Sequence, residues 1–155
     1  MKGWKIIEPL KIQEKEIIES TSEAALSKIR ITKSLLTLAD VLRYNGAIEA
    51  KNVVLGSSGI GVVSETDTNL LNVEAGATVY IDSKINCGEC YSCKQDNKYK
   101  CLNILTAGED FDGFLRDFVS VNTENVHVLP ESISDKEALF IDHVSLSLKI
   151  IDSLN

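Results

Sequence analysis

No apolar run in the 155 residues approaches the roughly 20 needed to cross a bilayer. The opening residues Met1-Lys2-Gly3-Trp4-Lys5 lead into alternating and charged positions rather than an apolar signal core, so a cytoplasmic chain is expected. Basic residues are short of acidic ones, 16 Lys plus Arg against 23 Asp plus Glu, a net charge of −7. Such a surface repels phosphate backbones, so neither nucleic acid nor a membrane is an expected partner. Internal repeats and low-complexity tracts are absent. No cysteine lies outside one fifteen-residue window, and with 44% hydrophobic and 25% charged residues the composition is that of an ordinary globule. A chain of this length suits one domain with a real core and does not need a metal to reach a foldable size. A metal site in it would organise a local excursion.

Short strand-like runs fill the first two-thirds. Trp4-Lys5-Ile6-Ile7 and Leu10-Lys11-Ile12 flank the break at Glu8-Pro9. Residues 25–32 alternate, Val53-Val54-Leu55 and residues 60–64 are β-branched runs, and 77–81, 114–121 and 126–129 add three more strands. Leu38–Tyr44 reads as a short helix closed by Asn45-Gly46. Helices come last: Ser134 and Glu137 form a capping-box pair before Ala138-Leu139-Phe140, and residues 144–154 form a second helix. In that helix Val144, Leu146, Leu148, Ile150, Ile151 and Leu154 make an apolar surface too wide for packing on one side. A homodimer through it is expected. The fold class is mainly β (α+β), a small barrel-like domain with a helical tail.

The cysteines are spaced Cys87-x-x-Cys90-x-x-Cys93-x(7)-Cys101. Two-residue gaps let successive thiolates turn back onto one ion, and the longer gap is a loop that returns the fourth. Gly88 permits a tight backbone and Asp96-Asn97 supplies turn chemistry. Four thiolates would close a tetrahedral zinc shell, leaving no open position, so the site reads as structural. Two disulfides would need an oxidising compartment, and iron–sulfur ligation uses the same ligand type at other spacings. Lys84, Lys94, Lys98 and Lys100 surround the cysteines, either to offset the charge of a zinc–thiolate centre or as a solvated face.

The motif Cys-Gly-x-Cys-x-x-Cys-x(7)-Cys resembles the structural-zinc lobe of the medium-chain dehydrogenase/reductase family, the zinc-containing alcohol dehydrogenases. Val54-Leu55-Gly56-Ser57-Ser58-Gly59-Ile60-Gly61-Val62-Val63 resembles the family's Leu-Gly-His-Glu-x-x-Gly-x-Val segment. Residues 73–79 resemble Val-x-x-Gly-Asp-x-Val, residues 113–118 resemble Gly-Gly-Phe-Ala-Glu-Tyr, and Leu129-Pro130 with residues 134–138 resembles the approach to a second domain. The resemblance implies a GroES-like, partly open β-barrel over residues 1–155, with a structural-zinc lobe at about 85–105 and C-terminal helices. It implies alcohol–carbonyl interconversion with NAD(P), whose Rossmann domain is not found in this chain. The implied partner is a missing nucleotide-binding domain, the alternative to the homodimer expected from the C-terminal helix.

The family's catalytic metal does not carry over with the resemblance. Thr37 stands where the first zinc ligand, a cysteine, is implied, with Asp40 retained three residues on. Ser57 replaces the implied histidine, Ser58 the following glutamate, and Asp142 keeps a carboxylate at the later position. Hydroxyls are poor neutral zinc ligands, so two of three usual ligands are lost. His143, beside Asp142, could join an unusual Asp/His site; His127 is expected to face solvent, and Asp40 to cap a helix. Gly56-Ser57-Ser58-Gly59-Ile60-Gly61 is superficially similar to a nucleotide-binding turn. The residues after it prefer strand, and there is no Tyr-x-x-x-Lys pair. Without catalytic zinc or a cofactor domain the chain alone should be inactive. The leading reading is the zinc-binding domain of an alcohol-dehydrogenase-type oxidoreductase; the alternatives are a non-enzymatic binding or assembly module, or half of a split dehydrogenase.

Overall fold

The computed structural model describes residues 1–18, 26–66 and 73–154. The chain opens with a hairpin, β1 (Lys2–Glu8) and β2 (Lys11–Glu16), whose turn at Pro9 holds Leu10 at φ 63°. The Leu10 N–H donates to the Tyr44 carbonyl at 2.7 Å, tying the turn to the helix that follows later. Next come β3 (Leu26–Leu35), α1 (Leu38–Tyr44), β4 (Ser58–Thr66) and β5 (Thr78–Ile81). A lobe follows with β6 (Lys84–Ile85), α2 (Tyr91–Lys94) and β7 (Leu105–Thr106). Then β8 (Phe118–Asn122), β9 (Val126–Val128), α3 (Asp135–Ala138) and α4 (Ile141–Ser153) complete the chain.

Five strands form one antiparallel sheet in the order β8-β3-β4-β5-β9. The β3–β4 register slips between Lys28 and Ile29 and again between Ile31 and Lys33. An extra residue in one strand bends it and raises its twist, which curls the sheet around its core. Among the described residues no ladder joins the outer edges of β8 and β9, so the barrel is open. Ile29, Val63, Val79, Ile81, Ala107, Phe114, Val119 and Val126 pack inside the curl, joined by Val73. Gly61 is fixed by this closeness, because a Cβ there would stand 2.5 Å from the Ile29 side chain and 2.6 Å from the Arg30 carbonyl.

Three expected elements differ. Val53, Val54 and Leu55 form no strand, although Val54 and Leu55 are buried. They are stitched to residues 113–115 by single bonds: Gly113 N–H to the Val54 carbonyl at 2.8 Å, Leu115 N–H to Leu55 at 2.8 Å, and Phe114 N–H to Gly56 at 2.9 Å. Accordingly the strand expected over 114–121 runs only from Phe118 to Asn122. Burial produced the apolar pattern; a regular ladder did not. At the C-terminal end, the capping box forms as read, with the Ser134 N–H donating to the Glu137 carboxylate at 2.9 Å. That helix ends at Ala138, which is buried against Ile60 and Tyr80. Phe140 caps the next helix, which starts at Ile141, three residues before the expected position 144. Ala25, the first residue of the expected 25–32 strand, lies outside the described residues.

Candidate metal centre

Residues 84–106 have no core of their own: among the described side chains of this lobe none is buried, and Tyr91 and Leu102 are over 80% exposed. Its only sheet is the two-residue β6–β7 ladder. Two tight turns point its cysteines inward. Gly88 sits at φ 72° with open space where a Cβ would be, so conformation alone selects glycine there. Asp96 takes φ 55°, a region that Asp tolerates, just after the Gln95 amide closes α2 on Tyr91.

The four Sγ atoms of Cys87, Cys90, Cys93 and Cys101 lie within 4.8 Å of one another. Cys87 and Cys101 are 3.5 Å apart and Cys87 and Cys93 4.0 Å. Sulfurs at the corners of a zinc tetrahedron with 2.3 Å bonds stand about 3.8 Å apart, so the spacing fits that ion. The Cys87 N–H donates to the Cys101 sulfur at 3.4 Å. Backbone amides of Cys90 and Glu89 draw the Cys87 thiol down in pKa, and those of Leu102 and Cys93 lower Cys90 to about 6. Cys93 is pushed up to about 12, first by desolvation and then by its neighbouring sulfurs. Crowded thiols compete to hold protons; a dication at their centre removes that conflict. The donor set, spacing and amide pattern all suit zinc. Lys84, Lys94, Lys98 and Lys100 are exposed around it.

The degenerate positions converge as well. Thr37, Ser57, Asp142 and His143 line one cleft of about 280 Å3, together with Arg43, Ser83, Thr106, Glu109 and Leu146. Thr37 precedes α1, Ser57 precedes β4 and Asp142 opens α4, so three separate elements meet there. Asp142 is already engaged, accepting a 2.6 Å hydrogen bond from the Tyr80 hydroxyl. Burial, then this carboxylate, raise the Tyr80 pKa far above the usual phenol range, so the proton stays on the tyrosine. Asp40 is not a cap ahead of the helix. It lies inside α1, where its carboxylate accepts from the Thr37 N–H at 2.8 Å and the Thr37 hydroxyl at 3.1 Å. Arg43 stands 4.0 Å from the other Asp40 oxygen and reaches Glu109 at 3.2 Å.

His143 is exposed and meets the Phe140 ring edge-on, and His127 is exposed on β9 with its ring stacked on Tyr80. Among the described residues the cysteines are the only group of three or more metal-ligating side chains brought together. Sequence reading missed Tyr80 and the Arg43–Glu109 pair. The tyrosine had a signal: a hydroxyl between Val79 and Ile81 in a buried run needs a partner.

Residues 24–131 match the model of the alcohol dehydrogenase GroES-like domain. The chain is 28% identical over 134 residues to L-threonine 3-dehydrogenase of Rhizobium etli, covering 79% of this chain and 39% of that protein. Its fold superposes on galactitol-1-phosphate dehydrogenase from Escherichia coli with a TM-score of 0.80 at 19% identity, covering 96% of this chain and 43% of the other. L-idonate 5-dehydrogenase from Escherichia coli gives a TM-score of 0.77 at 21% identity, covering 90% and 42%. The chain thus spans about two-fifths of the length of the proteins it matches.

Proposed function

The chain belongs to the alcohol dehydrogenase GroES-like domain family, and from that premise we propose that it is a zinc-stabilised scaffold half of an NAD(P)-dependent oxidoreductase. Its Cys87, Cys90, Cys93 and Cys101 hold one structural zinc, which fixes a lobe that has no apolar core. Its cleft, lined by Thr37, Ser57 and Asp142, faces the substrate, while the nicotinamide carrier is held by a nucleotide-binding domain outside these 155 residues. The carrier supplies the hydride chemistry. This chain's residues shape and close the cleft.

The observation that carries this reading is the closed set of four sulfurs, set against a separate cleft that gathers no comparable ligand set among the described residues. Two hydroxyls replace soft ligands there, and Tyr80 already engages the one aligned carboxylate. The same observation favours a second reading, in which the domain binds or assembles without catalysing. A shared fold permits both.

The purified 155-residue chain is expected to show no NAD(P)-dependent oxidation of simple alcohols, because Thr37 and Ser57 cannot hold a Lewis-acidic zinc. Thr37→Cys with Ser57→His should add a second metal equivalent, visible as extra cobalt absorption, without turnover. Cofactor-dependent turnover by the homogeneous unmodified chain would overturn the scaffold reading. To choose between the two readings, a separately produced nucleotide-binding domain of a relative is added: turnover on mixing supports the scaffold half, and inertness supports the binding module.

A further inference from the structure

The last turn of α1 sends a charged side chain into the cleft. Arg43 is 7% exposed, although the helix end that carries it would be served as well by a cation out in solvent. A guanidinium withdrawn from water needs close carboxylate contact, with N–O distances of about 2.7–2.9 Å. Arg43 lacks such contact. Asp40 stands 4.0 Å away, and its other oxygen is taken up by Thr37. Glu109 reaches the guanidinium at 3.2 Å from the loop after β7, on a side chain that is 48% exposed. Swinging that carboxylate out costs little, because a half-exposed group is readily rehydrated. Asp142, the other carboxylate lining the cleft, is engaged by Tyr80. Lys84 lines the same cleft and pairs with no carboxylate among the described residues.

We infer that Arg43 is the oxyanion-binding residue of the cleft, and that the Glu109 carboxylate is a built-in stand-in for one brought by the ligand. A carboxylate or phosphate on the ligand displaces Glu109 and takes its place on the guanidinium. The inference rests on the reading of this cleft as the substrate site and adds the substrate's class, a small organic anion. A free oxyanion can meet two N–H groups of the planar fork at full bond distance, which the tethered Glu109 does not reach. Lys84 adds a second positive charge for it. A cleft of about 280 Å3 suits a ligand of a few carbons beyond the charged group.

Titration of the 155-residue chain with inorganic phosphate and, separately, with acetate tests this. Ionic strength is held constant with chloride, because salt alone screens exposed pairs. The Arg43 Nε resonance and the Ser57 and Thr106 amides should shift together and saturate, and the probe that saturates at the lower concentration identifies the oxyanion. Glu109→Gln removes the stand-in and should tighten binding about two- to fivefold, the worth of a partly exposed ion pair. Arg43→Gln should weaken it at least about tenfold, as the loss of a charged hydrogen bond does. Arg43→Lys should restore only part, since an ammonium lacks the fork. If Arg43→Gln does not fold, Glu109→Gln decides alone. Equal shifts with chloride, or shifts that never saturate, contradict the proposal. So does a Glu109→Gln chain whose affinity is unchanged or weaker. None of these results bears on the scaffold reading, which turnover on mixing with a nucleotide-binding domain tests separately.

Discussion

Cys101→Ser is expected to abolish binding of the proposed zinc and, with it, the order of residues 85–105, while the five-stranded sheet survives. The loss of zinc affinity should exceed the roughly 10–100-fold that removing an outer-shell partner causes, because a coordinating sulfur itself disappears. The reason for the local collapse lies in the burial pattern. The lobe's ladder has two residues per strand and its described side chains include none that is buried, so little besides the proposed zinc would hold it. The sheet draws its stability from Ile29, Val63, Val79 and Phe114, none of which belongs to the lobe. Amide exchange would check this. The Lys94, Gln95 and Asn97 amides, bonded within the lobe, should lose protection, and the Val63 amide, bonded to the Ala77 carbonyl, should keep it. Equal loss in lobe and sheet would show that the metal supports the whole domain.

Phe114→Ala should lower stability by about 3–5 kcal/mol, a large share of the roughly 5–15 kcal/mol that keeps a domain folded. The Phe114 side chain is 1% exposed and seated over Gly59, where an added Cβ would stand 2.7 Å from the ring. The backbone on either side is pinned, Phe114 to the Gly56 carbonyl and Gly113 to the Val54 carbonyl. The site therefore cannot collapse into the space the ring leaves. For a domain of this size the melting temperature should fall by roughly 6–20 °C. Phe118→Ala is the comparison, since that ring is only half-buried on an edge strand with Lys28 5.9 Å above it. A thermal melt in which the two variants lose the same amount would refute this placement of the core.

The cysteine cluster was legible because short gaps between thiols carry their own geometry, and Gly88 and Asp96-Asn97 mark its two turns, both of which take φ above zero. The hairpin, the main sheet and α1 were legible for a related reason: alternation and capping are local. What escaped was set by contacts between distant segments. Val54 and Leu55 are as apolar as strand residues, yet they bond to 113–115 singly, and sequence periodicity registers burial without showing the partner. Tyr80 and Asp142 are 62 positions apart, so nothing local foretold that the surviving carboxylate would be engaged. Asp40 was legible as a capping residue, but its place inside α1 rather than ahead of it depended on where the helix began. Arg43 and Glu109 meet across the cleft in the same way.

The zinc assignment is tested most directly by metal analysis of the purified chain together with a mass measurement under native and denaturing conditions. One zinc per chain is predicted, retained in the native protein and released on denaturation as four free thiols appear. Two zinc ions would show that Asp142 and its neighbours had rebuilt a second site. A metal-free chain lighter by four hydrogens, the signature of two disulfides, would contradict the account outright.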